Sequence, residues 1–148
     1  MRSHRPRGFT LIEVMLVLVI GVAAYLVLLA VPLRGASNAD LKAAARSLAA
    51  GLRQAQTIAM SSKRDTALTI DLDTREFTVT GDATIRQVGK ELDLKLYTAQ
   101  SEVTSEKRGA IRFYPDGSST GGRITVASGE RKYLVDVDWL TGRVAIKD

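Results

Sequence analysis

Residues 14–31 carry no charged side chain, and the first charge after them is Arg34. A run of about 18 apolar residues is the length at which a membrane helix becomes a candidate. Counted from Phe9 to Leu33 the block has 25 residues. That is about 37 Å of helix, against a hydrocarbon core about 30 Å thick. The pattern predicts a transmembrane helix over 9–33, broken or kinked at Pro32-Leu33-Arg34-Gly35. Beyond it, Leu41, Ala45, Leu48, Leu52, Ala55 and Ala59 recur at intervals of four and three, which is one helical stripe. Arg46, Arg53, Gln54 and Gln56 lie largely off it. This predicts an amphipathic helix from Ala39 to about Ser62, packed on its own domain. Its alanines also permit close approach of a second helix. Ser37 and Asn38 both suit an N-cap, and Asp40 suits the first turn.

At Lys63 the period shortens to two. Alternating segments at 66–72, 76–80, 92–97, 110–114, 123–127, 133–138 and 143–146 predict strands. Turn residues at 73–75, 81–82, 115–119, 128–131 and 141–142 separate them. Residues 83–91 are ambiguous, a loop with a short strand near 85–88. The polar stretch 101–109 predicts a surface connection. The fold class is α+β: a long N-terminal helix, half membrane-spanning and half amphipathic, packed on antiparallel β-sheets. The domains are a short basic segment over 1–8, which the resemblance described below makes a leader, a transmembrane helix over 9–33, an amphipathic helix over 34–62 and a β-rich globular domain over 63–148.

One residue of the apolar block breaks its pattern. Glu13 lies between Ile12 and Val14, and an ionised carboxylate in hydrocarbon costs a few kcal/mol even on mild scales. Either it stays hydrated at the membrane edge, or it meets a positive partner inside. Arg2, His4, Arg5 and Arg7 precede the block with no acid among them, which keeps this end cytoplasmic and exports the rest. A secretory signal would place its small-residue cleavage site after the apolar run. No clear site precedes Arg34, although Arg34-Gly35-Ala36-Ser37 leaves one open. Gly8 stands before the run instead.

Composition narrows the chemistry. The chain has 148 residues and a net charge of +5. Without the three leader arginines, 18 basic residues face 16 acids, a net of +2, which gives little support to nucleic-acid binding. There is no cysteine, and the single histidine is His4 in the leader. Thiol catalysis, Cys-based zinc sites and a Ser-His-Asp triad are therefore excluded beyond the leader. Asp116-Gly117-Ser118 has the look of a calcium loop but assures only one carboxylate where about six oxygens are needed, so a turn is expected. Asp136 and Asp138 stand two apart on a strand and so share a face. As a pair they suggest acid–base work, but no other polar constellation accompanies them, and a solvated strand face is expected. Lys90, Lys95, Lys107, Arg108, Arg131 and Lys132 are interspersed with acids, as on an ordinary surface. Trp139 is expected in the core.

Gly8-Phe9-Thr10-Leu11-Ile12-Glu13-Val14 resembles the processing motif of type IV pilins and type II secretion pseudopilins. The resemblance implies cleavage by a prepilin peptidase between Gly8 and Phe9, and N-methylation of Phe9. It also implies that Glu13 pairs with the N-terminal amine of a neighbouring subunit. Phe113-Tyr114-Pro115-Asp116-Gly117-Ser118-Ser119 and Trp139-Leu140-Thr141-Gly142-Arg143-Val144 resemble the C-terminal signature of the pseudopilin H and FimT-like minor pilin family. Leu52-Arg53-Gln54-Ala55-Gln56 resembles that family's segment before the first strand. The resemblance implies a pilin-like fold and a single-pass inner-membrane protein with its globular domain in the periplasm. It implies assembly with minor pseudopilins I, J and K and major pseudopilin G into a filament that drives folded proteins across the outer membrane. No catalytic role, cofactor, metal, nucleic acid or small-molecule substrate belongs to that picture. A FimT- or FimU-like minor pilin of a type IV pilus, serving pilus assembly or DNA uptake, is the alternative. An enzyme tethered by a signal anchor is the second.

Overall fold

The computed structural model describes residues 9–30 and 37–148, with side chains for all of these except 27–30. The chain divides into two compact units, Met1–Arg34 and Gly35–Asp148.

The first unit holds α1, Leu11–Ala30. Thr10 starts it: its carbonyl accepts from the N–H groups of Glu13 (3.0 Å) and Val14 (3.2 Å), and its hydroxyl accepts from Glu13 N–H at 3.3 Å. Glu13 thus lies in the first turn, where the helix dipole favours an acid. Exposed apolar side chains encircle α1, from Val14 at 50% to Leu11 at 81%. A helix apolar on every side has its cover outside its own chain segment. Among the described residues no helix is long and apolar enough to cross a membrane. The span predicted over 9–33 draws on side chains from 27 onward that lie outside the described residues. So do the leader and the break at Pro32–Gly35.

The second unit opens with α2, Asn38–Ser62. Ser37 is its N-cap, in a capping box: the Ser37 hydroxyl accepts from Asp40 N–H at 3.2 Å, and the Asp40 carboxylate accepts from Ser37 N–H at 3.1 Å. All six residues of the sequence stripe are fully buried. Gly51 joins them because a Cβ there would meet the Phe77 ring at 2.9 Å. The glycine lets the helix settle close onto a sheet.

Among the described residues nine strands follow: β1 Thr66–Asp71, β2 Glu76–Val79, β3 Asp82–Gln87, β4 Asp93–Thr98, β5 Val103–Ser105, β6 Arg108–Phe113, β7 Gly122–Ser128, β8 Arg131–Val137 and β9 Val144–Lys147. They form two antiparallel sheets, ordered β3-β2-β1-β6-β5 and β4-β7-β8-β9. The α2 helix packs on both, touching β1, β2 and β6 of the first and β7, β8 and β9 of the second. Leu68, Ile70, Phe77, Ile111 and Phe113 meet its stripe from one sheet, and Ile124, Val126, Val135 and Val137 from the other. The two sheets share one core because the helix is apolar through a wide enough arc to serve both.

Two predicted segments differ. Residues 101–109 are not a plain surface connection. They contain β5, the start of β6 and a single 3-10 turn, Gln100–Glu102. Glu102 is buried there, held by a two-pronged pairing with Arg112 at 3.0 and 3.2 Å. Residues 83–91 hold a full strand, β3, that starts at Asp82 and pairs with β2 through a register shift between Phe77 and Val79.

Candidate functional site

The N-terminal motif divides at the edge of what is described. Gly8 lies outside the described residues. Phe9 is 81% exposed, and Glu13 is exposed on the first turn of α1.

The three other segments singled out in the sequence come together at the C-terminal half of α2. Gln56 donates its Nε2 amide to the carbonyls of Gly117 (2.9 Å) and Thr141 (3.2 Å). It therefore ties the Pro115–Ser119 turn to the turn before β9. Arg53 donates to the Val144 carbonyl at 3.2 Å. Gln54 points to the other sheet: its amide donates to Asp82 at 2.8 Å, and its carbonyl accepts from Arg86 at 2.7 Å. Arg86 closes the triangle on Asp82 at 2.9 Å and lies over the Phe77 ring, 5.9 Å from its centroid. The Asp82 carboxyl falls from 3.8 to about 2, chiefly through hydrogen bonds from Thr84, then Gln54, with Arg86 adding its charge. Arg53, Gln54 and Gln56 are thus positioning residues: they fix both sheets to one helix. The partners Asp82 and Arg86 carried no sequence signal, being 28 and 32 positions from Gln54.

The turns themselves are built from local bonds. The Asp116 carboxylate accepts from Ser118 N–H (2.9 Å) and Oγ (2.6 Å), so it holds the predicted turn together. The Asp138 carboxylate accepts from the N–H groups of Leu140 (3.1 Å) and Thr141 (2.8 Å) and from the Thr141 hydroxyl (2.8 Å). Ser119 donates its N–H to the Trp139 carbonyl at 2.9 Å and its hydroxyl to the Asp138 carbonyl at 3.2 Å, joining the two turns.

Two expectations are corrected here. Asp136 and Asp138 do not share a strand face, because β8 ends at Val137. Asp136 pairs with Arg123 and with Lys147 (2.9 Å), while Asp138 caps the turn that follows. Trp139 is not in the core: it is 66% exposed. Alternation past the buried Val135 and Val137 would point residue 139 inward, but the Asp138 turn rotates it out. Of the basic side chains expected on an ordinary surface, Arg108 is engaged, paired with Asp71 at 2.8 and 3.2 Å.

The family model for type II transport protein GspH matches residues 44–141, from the second turn of α2 into the turn before β9. The chain belongs to this family. A second family model, the prokaryotic N-terminal methylation motif, matches residues 3–24. Among characterised relatives, type II secretion system protein H of Xanthomonas campestris pv. campestris is 30% identical over 138 residues, covering 93% of this chain and 81% of that protein. Among solved structures, the minor pseudopilin EpsH of the Vibrio cholerae type 2 secretion system aligns with a TM-score of 0.58 at 17% identity, covering 73% of this chain and 96% of its own. The type IV minor pilin FimU of Pseudomonas aeruginosa aligns at 0.56 and 16% identity, covering 73% and 93%. Both likenesses show the fold, an α+β pilin-like one.

Proposed function

We propose that the chain is a minor pseudopilin of a type II secretion system, which assembles into the periplasmic pseudopilus that drives folded proteins across the outer membrane. The observation that carries this is one continuous chain with an N-terminal methylation motif over 3–24 and a GspH domain over 44–141. The relative named type II secretion system protein H supports the same role. In this reading the leader 1–8 is removed by a prepilin peptidase between Gly8 and Phe9, and Phe9 is N-methylated. Residues 9–33 anchor the protein in the inner membrane, 34–62 continue as the amphipathic helix, and 63–148 stand in the periplasm. Glu13 pairs with the N-terminal amine of a neighbouring subunit, which offsets its burial. The partners are pseudopilins G, I, J and K. The protein is the peptidase's substrate and itself a structural subunit, not an enzyme.

The test is intact-mass and N-terminal analysis of membrane-extracted protein from cells with and without prepilin peptidase. Loss of eight residues plus one methyl group on Phe9, only when the peptidase is present, is the expected result. A full-length chain, or one cut near Ala36, overturns the processing and with it the pseudopilin role.

A minor pilin of a type IV pilus is the second reading, favoured by the near-equal likeness to FimU. Deleting the gene separates the two. Lost exoprotein secretion with normal pili supports the first reading, and the reverse supports the second.

A further inference from the structure

The face of the β4-β7-β8-β9 sheet turned away from α2 carries charges and exposed aromatic side chains together. Tyr97, Arg123, Asp136 and Ala145 form one row across its four strands, while their neighbours Ile124, Val137 and Val144 are buried beneath. Tyr97 is 78% exposed, and Trp139 and Leu140 stand out of the turn after β8. Two depressions, of about 410 and about 280 Å³, flank this ridge and share Tyr97, Gly122, Val137 and Trp139 in their walls. Exposed Trp and Tyr beside Arg is the composition of binding hot spots.

The backbone that carries the tryptophan is held in place. Ser119 bonds the carbonyls of Asp138 and Trp139. Gly121, at φ +70°, lies so close that a Cβ there would meet Trp139 Cβ at 2.9 Å. The backbone is thus fixed while the side chain, 66% exposed, stays outside the core.

Charge indicates what covers it. Asp136 is already shared by Arg123 and Lys147, and Asp138 is turned to its own loop. Arg143 is exposed and forms no ion pair among the described residues, although its charge adds to the hydrogen bonds from Thr141 that hold the Asp138 carboxyl below its usual range, and Lys95, exposed one row over, forms none either. The patch therefore carries four cations against two carboxylates that are in use. Unpaired cations beside exposed aromatics are complementary to a segment that brings acidic and apolar side chains together. We propose that this face docks an acidic segment of a partner protein, with Trp139 and Tyr97 receiving an apolar side chain and Arg143 and Lys95 receiving its carboxylates. The proposal goes beyond the secretion reading and stands on the folded second unit alone.

Trp139 is the chain's only tryptophan, so its emission reports this face directly. The full chain in detergent is titrated with a short peptide alternating glutamate with leucine and phenylalanine. A saturable shift in Trp139 emission is expected, weakened about tenfold or more by Arg143→Glu or Tyr97→Ala and unchanged by Lys42→Glu on exposed α2. A circular-dichroism melt of each variant separates lost binding from lost folding. The proposal fails if the emission does not move, or if Arg143→Glu binds as well as the parent. It also fails if the lysine version of the peptide or oligothymidylate acts equally well. Failure here leaves N-terminal processing untouched, and an unprocessed N-terminus leaves this binding untouched.

Discussion

Gly142 sits at φ +64° beneath the Gly117 carbonyl and the Gln56 amide, and a Cβ there would overlap both. The backbone conformation alone costs a non-glycine residue about 1–3 kcal/mol. Gly142→Ala should therefore lower the unfolding free energy of the full chain in detergent, read from a urea titration, by that order or more, and move the urea midpoint down with it. An unchanged midpoint would show that the two turns do not depend on this contact. Asp82 makes a second prediction, in pH. Its folded carboxyl titrates near 2, against 3.8 ordinarily. A depressed acid contributes stability that is complete above its ordinary value and disappears as pH falls through the folded one. Asp82→Asn should be less stable than the parent at neutral pH, and the gap should close between about pH 4 and 2, read by urea melts at each pH. A gap independent of pH would assign the loss to packing. The N-terminal motif and the Asp116 turn were legible at this scale because each is a short run of neighbours. Asp82, Arg86 and the pairing of buried Glu102 with Arg112 were not, because the partner of each lies elsewhere in the chain.

Among the elements, α2 is the one both sheets require. Its stripe was readable in the sequence because a single period of 3.6 decides which residues turn inward. Its ability to serve two sheets was not, since that depends on where β7 to β9 fold back. Leu52 is fully buried in the shared core, so Leu52→Ala should cost about 2–5 kcal/mol. Arg46 on the exposed face should cost under about 0.5 kcal/mol on change to Ala. Chemical denaturation followed by circular dichroism compares them, and equal losses would contradict the packing. The strands were legible wherever alternation ran unbroken. They were misjudged where pairing, not pattern, made the strand: β5 is three residues long and exposed throughout, and it exists as a partner for β6.

For the molecule as a whole, the proposed assembly rests on the exposed apolar surface of α1 and the single acid at its start. Removing one partner from a buried ion pair costs several kcal/mol. In a pseudopilin, Glu13→Ala should leave peptidase processing intact while reducing co-purification of the other pseudopilins, and exoprotein secretion, more than tenfold. Unchanged secretion in that variant would remove Glu13 from the assembly mechanism. The sequence by itself determined the α+β class, the α2 stripe and the N-terminal motif, because these rest on neighbours within a few residues of one another. Only the tertiary structure decided that Arg53, Gln54 and Gln56 join two sheets through one helix. It alone turned Trp139 outward, because a strand's alternation stops where its pairing stops, and that point is set by residues distant in the chain.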